Sequence, residues 1–512
     1  MNKEIASLRD MMRRPGIVGL GVGVLFFVLS ATWAWAGPLF SIPDENAHVT
    51  KALALSDGQW SAWYDDGVAL VTLPEGYEYN PSLVCFVFND TVSASCAGTM
   101  SDPGSETFPN WVANYNPLYY GLVSVPVYFL EGNTALYAMR IVSALASAVL
   151  VGLAASIAAR HRHRPWLLLA MVSIAAPVTT YFAGSVNPQG MEITSALLAI
   201  ISLLALLDSP RTAPSWWWVA HVVGAAILIN VRASGLAWYA AVVVVALITT
   251  GFKKFFAMLS LKPAWFVLAA VGAAGGFAFW WLQHVGQLTQ EATPGTAPLI
   301  GASFGEAAVA MISTTPFHIQ QAIGVFGWLD TYVPAAFIGV AVVALTLPVI
   351  LLFLHAGRPQ VVRTLALLAL GALLPVVVQG WAAANTGIIW QGRYAIFIYV
   401  SIGMAVAWMI SESQSTPAGL PRRAALTSAL LLAGYSSFVF VFVLSRYVTG
   451  LDEPLFDILT APEWTPPGGV FAPKARQVAA QVAWIVWMVK ATGHSHNVEI
   501  GDRVSDQAVE AA

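Results

Sequence analysis

The sequence predicts an all-α integral membrane protein built as a bundle of 11 or 12 transmembrane helices, and three observations carry that prediction. Of 512 residues, 57% are apolar and only 10% are charged, too little polar surface to cover a water-soluble globule of that size. Apolar runs long enough to cross roughly 30 Å of hydrocarbon recur from residue 17 to residue 444, with no linker between them. Finally, Lys and Arg are distributed unevenly among the loops, as they are where a cytoplasmic side is marked.

The basic residues orient the chain. Lys3, Arg9, Arg13 and Arg14 lie in segment 1–16 before the first span, 17–36, and place the N-terminus in the cytoplasm. Ala34-Trp35-Ala36-Gly37 resembles a signal-peptidase site, so this span could be cleaved; the next loop would lie outside either way. Outer loop one, about 37–134, is acidic and has a single basic residue, Lys51. Span 135–158 then runs inward to Arg160, Arg162 and Arg164. Its direction requires the short apolar stretch 117–130, which contains Pro126, to dip into the outer leaflet without crossing.

Alternation continues from there. Span 166–183 runs outward, 193–207 inward to Arg211, 216–229 outward, and 236–250 inward to Lys253-Lys254. Span 264–282 leads into a second outer segment, about 283–332, and 333–354 returns to Arg358 and Arg363. Spans 365–384, 395–410 (ending at Arg422-Arg423) and 424–444 follow, with a weak twelfth at 478–489. Residues 17–490 thus form one membrane domain, followed by a polar tail, 491–512. On this map fifteen of the 24 basic residues are cytoplasmic and seven are outside, the asymmetry expected of a plasma-membrane protein.

Cys85 and Cys96, the only cysteines, both fall in outer loop one. On an oxidising face they either close a short structural disulfide or remain two free thiols. Internal repeats, a phosphate-binding glycine loop, zinc-ligand spacing and basic nucleic-acid patches are absent from the sequence.

Residues suited to chemistry cluster at the outer ends of the spans. Ser41-Ile-Pro-Asp44-Glu45-Asn-Ala-His48-Val-Thr-Lys51 reads as a helix start that puts Asp44, His48 and Lys51 on one face. A capping box, with Ser41 as cap and Asp44 reaching back to it, would explain one acid. The functional reading makes Asp44 a general base at the membrane surface and Glu45 its orienting partner or a metal ligand. Asn114-Tyr-Asn116-Pro-Leu-Tyr119-Tyr120 and Asn187-Pro-Gln189-Gly-Met-Glu192 read either as interface anchors or as parts of the same site. Arg140, Arg232 and Arg393 need anionic partners at their depth: salt bridges to Asp44, Glu192 or Asp330, or a lipid-linked phosphate gripped by the guanidinium fork. Gly327-Trp328-Leu-Asp330 and Gln391-Gly-Arg393-Tyr394 complete six clusters that the map puts on one face.

Pro43-Asp44-Glu45-x-x-His48, the turn at Asn187, Gly327-Trp328-Leu-Asp330 with Pro334, and Gln391-Gly-Arg393-Tyr394 together resemble a family of bacterial membrane proteins of unknown function, over about residues 15–450. That family in turn resembles, more distantly, the GT-C membrane glycosyltransferases, which share an acidic pair in the first outer loop, a Pro-Leu-Tyr-like juxtamembrane segment and an arginine opening the next span. The corresponding positions are Asp44-Glu45, Asn116-Pro117-Leu118-Tyr119 and Arg140. Two departures stand out: Asn116 where two prolines are commoner, and Gln189 where an acid is more typical.

The resemblance implies sugar transfer from a polyprenyl-phosphate carrier to an extracytoplasmic glycan or other acceptor. Asp44 would be the base, with Arg393, Arg140 or a divalent cation at the leaving phosphate. His48, Lys51, Asn116, Tyr119, Asn187, Glu192, Arg232, Trp328, Asp330, Gln391 and Tyr394 would line the substrates. The rival readings are a transporter or flippase, which calls for ionisable residues near the bilayer midplane and paired broken helices, and a non-catalytic envelope-assembly protein. His221 is the main ionisable side chain inside a span. An outward-facing cavity, open laterally to lipid, that brings Asp44 within about 10 Å of Arg393 or Arg232 favours the transferase; dispersal of these residues around the rim excludes it.

Overall fold

The structure is a computed structural model that describes residues 10–286 and 297–493. Lys3, Arg9, most of the polar tail and part of the second outer segment lie outside the described residues. In a hydrocarbon solvent each backbone amide must be paired within its own segment, and the apolar runs accordingly form helices. They are α1 (Pro15–Ala36), α2 (Glu45–Ser56), α3 (Pro117–Val123), α4 (Gly132–Arg160), α5 (Arg164–Met171), α6 (Pro177–Ala183), α7 (Pro188–Asp208), α8 (Ser215–Asn230) and α9 (Gly235–Thr250). After these come α10 (Phe252–Leu259), α11 (Lys262–His284), α12 (Phe304–Gly324), α13 (Ala335–His355), α14 (Arg358–Thr386), α15 (Ile396–Ser411), α16 (Leu420–Val448) and α17 (Phe471–Thr492).

Eight of these helices are individually long and apolar enough to cross a bilayer, and ten spans result if each of two bent pairs is one crossing. α8 is a shorter apolar helix of 16 residues. α17, at 22 residues, is about 33 Å long and packs against α1 and α16. Arg164 donates to the carbonyls of both Met12 and Ala491, so the start of α1 and the end of α17 share one end of the bundle. α3 has only seven residues and is followed by a 3-10 turn, Val125–Tyr128, too short to cross. The second outer segment contains α12, a helix of 21 residues with a Ser303/Glu306 capping box, lying against α14.

Position in the bundle follows from which faces are apolar. Every residue in the apolar window of α7 is buried, whereas 22% to 28% are buried in α11, α13 and α14. α7 is therefore the axis, and the peripheral helices turn Trp265, Leu354 and Trp381 outward, where only lipid is an adequate solvent for them. α1 and α4 approach closely over Gly19, Gly23 and Gly152: a Cβ on Gly152 would lie 3.1 Å from the Gly19 carbonyl oxygen. Small residues permit this contact in membranes, and it sets the height of the α1 outer end against Arg140.

α5 and its 3-10 extension meet α6 at 67° across Ala176-Pro177, where Thr180 Oγ1 donates to the carbonyl of Pro177 (3.1 Å) and no ionisable residue is present. α9 turns by 110° into α10 at Gly251, after a complete 16-residue helix.

Between α2 and α3 the chain folds into a small cap. Trp63–Asp65, Val68–Thr72 and Thr107–Pro109 form an antiparallel sheet in that order, the first pair joined by Asp66-Gly67, both with positive φ. Val71, Phe108, Val112 and Ala113 cover Ala47 and Ala54 of α2, so the cap sits on the helix that opens at Asp44. Cys85 and Cys96 are joined by a disulfide. Arg446, at the end of α16, donates to the carbonyls of Phe86, Asn89 and Val92 and fixes the disulfide loop to the bundle. Replacing Cys85 with Ser is expected to lower cap stability by about 2–3 kcal/mol, measured as an earlier unfolding transition of the purified oxidised protein that reductant also produces in the wild type.

Candidate active site

The segment between α1 and α2 reverses direction in a few residues, and its geometry defines the site. Asp44 adopts φ +65°, a left-handed conformation unfavourable for a residue other than Gly, Asn or Asp. It precedes the helix without capping it, and the Ser41 hydroxyl has no hydrogen-bond partner, so the capping box between Ser41 and Asp44 does not form. This turn instead sends the two adjacent carboxylates in opposite directions.

Glu45 turns into the protein and pairs with Arg140 through two hydrogen bonds, at 2.7 and 2.5 Å. Both side chains are 1% exposed. The remaining donors of Arg140 go to the carbonyls of Ala34, Gly37 and Pro38, and Glu45 Oε1 also accepts from the Val186 amide. Every group in this knot is used. The structure thus places Arg140 at a joint between α1, α2, α4 and the α6–α7 turn, with no donor left for a phosphate, and holds Glu45 away from Asp44.

Asp44 faces the other way. Its Oδ2 accepts from Arg393 Nη2 at 2.5 Å and its Oδ1 from Trp111 Nε1 at 3.2 Å, while 27% of the side chain stays exposed. Burial raises the carboxyl pKa, but the charge of Arg393, aided by His48 and Arg232, outweighs it and holds Asp44 below the usual carboxylate range. Arg393 is itself buried, and its Nε and Nη1 have no hydrogen-bond partner among the described residues. A buried guanidinium with unused donor atoms is costly, and an anion is the group that would satisfy them.

Arg232 stands next to this pair, stacked over the Tyr394 ring at 4.4 Å from centroid to Cζ and 3.7 Å from Glu192 Oε2. Glu192 also accepts from Trp238 Nε1, and its Oε1 has no partner. The opening of α15 is fixed by Gln189, whose Nε2 donates to the Arg393 carbonyl at 2.5 Å. Gln391 adds a second unpaired oxygen, Oε1. Asp44, Arg232, Arg393, Glu192 and Tyr394 therefore converge from four separate parts of the chain, with Gln391 two residues from Arg393.

Other expected residues support the site without facing it. Asn187 caps α7 and donates to the Pro43 carbonyl, Trp328 donates to the Phe40 carbonyl, and Asp330 pairs with Arg446 at 3.3 Å. Asn116 caps α3 and donates to Asn230 Oδ1; Tyr119 bonds to Ser143. His48 bonds to Tyr120 through Nδ1 (2.8 Å), and burial together with the two arginines takes its pKa down to about 3 against the opposing pull of Asp44. Lys51 lies wholly buried beneath the cap with the Trp60 carbonyl as acceptor, and burial lowers its pKa to about 7.

Trp111, Tyr120, Trp238 and Arg446 were not expected at the site or its supports. Tyr120 lies within the Asn114–Tyr120 motif, and Arg446 is one of the few cations at the outer ends; Trp111 and Trp238 carry no sequence signal.

The donor set at Asp44 does not fit a divalent cation. Its two carboxylates diverge, and two guanidiniums already occupy the region a cation would neutralise. Among the described residues, three metal-capable side chains come together only at the opposite end, where His163, Asp208 and Glu412 meet. There Arg162 and Lys254 already compensate Asp208.

A multi-span helical bundle with a charged, partly unsatisfied site at one end defines a class of membrane protein. The chain belongs to the family described as "Predicted membrane protein (DUF2142)", whose model matches residues 26–442. No curated protein matches the sequence. Among solved structures it is similar to ArnT from Cupriavidus metallidurans bound to undecaprenyl phosphate, at 13% identity and a TM-score of 0.41, covering 92% of this chain and 77% of that one. It is also similar to the apo state of the same protein, at 12% identity and a TM-score of 0.40, covering 92% and 76%.

Two outcomes follow from the buried charges. Arg140→Met or Glu45→Gln alone is expected to destabilise by about 3–5 kcal/mol, because either leaves a buried charge unpaired, and the double variant recovers part of that loss; thermal unfolding in nanodiscs measures the cycle. Folding lowers the Lys51 pKa from 10.5 to about 7, so the unfolded chain holds that proton between those values. Stability then rises with pH across the window, and Lys51→Met flattens the slope in pH-dependent unfolding.

Proposed function

We propose that the protein is a glycosyltransferase of the plasma membrane that moves a sugar from a polyprenyl-phosphate carrier to an acceptor on the extracytoplasmic side. The observation that carries this reading is the contact between Asp44 and Arg393, with two further Arg393 donors unused and Arg232 beside them. A carboxylate next to two guanidiniums, one of them unsatisfied, offers a base and an anion site within one hydrogen bond of each other. Those are the two elements that transfer from a phosphate-linked donor needs.

In the proposed reaction the acceptor hydroxyl gives its proton to Asp44 as its oxygen bonds to the anomeric carbon, on the face opposite the phosphate. The bond from that carbon to the phosphate oxygen breaks, and the electron pair leaves with the phosphate, held by Arg393 and Arg232. Phosphate departs without protonation, so one base is sufficient and the configuration inverts. Glu192 keeps Arg232 in position, and Tyr394 supports its plane.

The roles of Asp44 and Arg393 exclude one another while they are paired. A lipid phosphate, with its higher charge, takes the fork of Arg393 and releases Asp44 Oδ2. Losing its strongest favourable neighbour raises the basicity of Asp44. Base activation thus awaits donor binding, which limits wasteful transfer to water.

Asp44→Asn is expected to lower transfer by about a hundredfold or more, read as loss of extracytoplasmic glycan in a deletion strain complemented with the variant. Full rescue by that variant removes the assignment. The same substitution should tighten binding of undecaprenyl phosphate to the purified protein in nanodiscs, because a competing carboxylate is gone, whereas Arg393→Ala should weaken it about tenfold or more. For sidedness, an impermeant thiol reagent on intact cells should label a cysteine at position 60 and not one at position 162, in a background lacking Cys85 and Cys96.

A further inference from the structure

The cap presents exposed aromatic rings beside the reacting carboxylate. Trp111 is 54% exposed, yet its only polar atom is turned inward, donating to Asp44 Oδ1 at 3.2 Å. A tryptophan that merely anchors a protein at a lipid interface directs its indole N–H to headgroups or water. Here the polar edge is committed to the site, and the open face of the ring borders the carboxylate. Phe108 lies behind it at 6.0 Å between centroids.

The turn carrying Trp111 is itself fixed. Asn114, three residues later, donates to the Tyr64 hydroxyl at 2.7 Å and accepts from the Ala62 amide, and its carbonyl accepts from Trp281 Nε1. These contacts tie the turn to the first strand of the cap sheet and to α11, so Trp111 is held rather than free to sweep. Tyr64, 52% exposed, adds a second ring bordering the same turn.

We propose that Trp111 is the acceptor-positioning residue and that the acceptor is a saccharide. The ring of an incoming sugar stacks its C–H face on the indole, and this presents one hydroxyl to Asp44. A flat apolar face beside a carboxylate matches the two sides of a pyranose, one lined with C–H groups and an edge of hydroxyls. A small alcohol has no matching face. Tyr64 offers the place for a second sugar, which makes a chain of two or more residues a better acceptor than a single one. The inference rests on the assignment of Asp44 as base and of the arginines as phosphate ligands.

Two variants and two measurements separate the possibilities. Trp111→Phe keeps a stacking face and loses the N–H, whereas Trp111→Ala loses both. The readouts are extracytoplasmic glycan in the complemented deletion strain and undecaprenyl phosphate binding by the purified protein. Trp111→Ala is expected to bind undecaprenyl phosphate as the wild type does, which shows that it folds, and to reduce glycan product about tenfold. Trp111→Phe should retain most of the product. Wild-type glycan from Trp111→Ala overturns the inference. Equal loss in both variants also overturns it, because the indole N–H then acts only by orienting Asp44. If the wild-type protein restores no glycan, the transferase reading falls and this inference with it; if it restores glycan and only the Trp111 outcomes fail, the transferase reading stands.

Discussion

The ion pair between Glu45 and Arg140 is the joint on which the rest of the site depends. Two charges removed from water at the end of a bundle need nearly complete compensation, and here it comes from four backbone groups. The carbonyls of Ala34, Gly37 and Pro38 and the amide of Val186 are drawn to one point. This fixes where α1 stops, where α2 starts and how the α6–α7 turn approaches them. Asp44, one residue before Glu45, then has little freedom left and adopts a left-handed conformation. The acid that does no chemistry determines the direction of the acid proposed to do it.

From that joint the strain is distributed across the site end of the bundle. Phe40, like Asp44, has positive φ, and Trp328 holds its carbonyl; Tyr181 and Tyr447 both donate to the Ser41 carbonyl. The hairpin bearing Trp328 is anchored by Asp330 to Arg446, and the same arginine ties down the disulfide loop. Residues that look like parts of a catalytic motif thus serve as its frame. A frame with so many long-range bonds keeps Asp44 and Arg232 in register across segments that are distant in sequence.

The bundle was largely legible in the sequence because the hydrocarbon constraint leaves only helices available. The broken pair α5–α6 read as one continuous span, since a proline at a helix start resembles a proline within one. At the site, the six clusters pointed to one end of the bundle, and the structure brings Asp44, Glu192, Arg232, Gln391, Arg393 and Tyr394 together. The pairing was not legible: a sequence shows that Arg140 needs an anion and that Glu45 is available, but not that Glu45 serves Arg140 and leaves Arg393 to Asp44. Trp111 was invisible for a different reason. Its cap loop has no periodic pattern, and its position depends on contacts of Asn114 to a strand and to a helix far along the chain.

Arginines are a physically coherent substitute for a cation at such a place. A divalent ion needs several oxygen donors around it, and each would be another carboxylate to neutralise whenever the ion was absent. Two guanidiniums held by stacking, on Tyr394 for Arg232 and between Phe182 and Tyr394 for Arg393, keep their charge at every physiological pH and need no further acids. Their cost is an unsatisfied state when no anion is bound, seen in the free Nε and Nη1 of Arg393. Asp44 relieves part of that cost by lending one oxygen. On the proposed reading the base is therefore also the placeholder for the ligand, and the affinity of the site for an anion is set against the strength of that one ion pair.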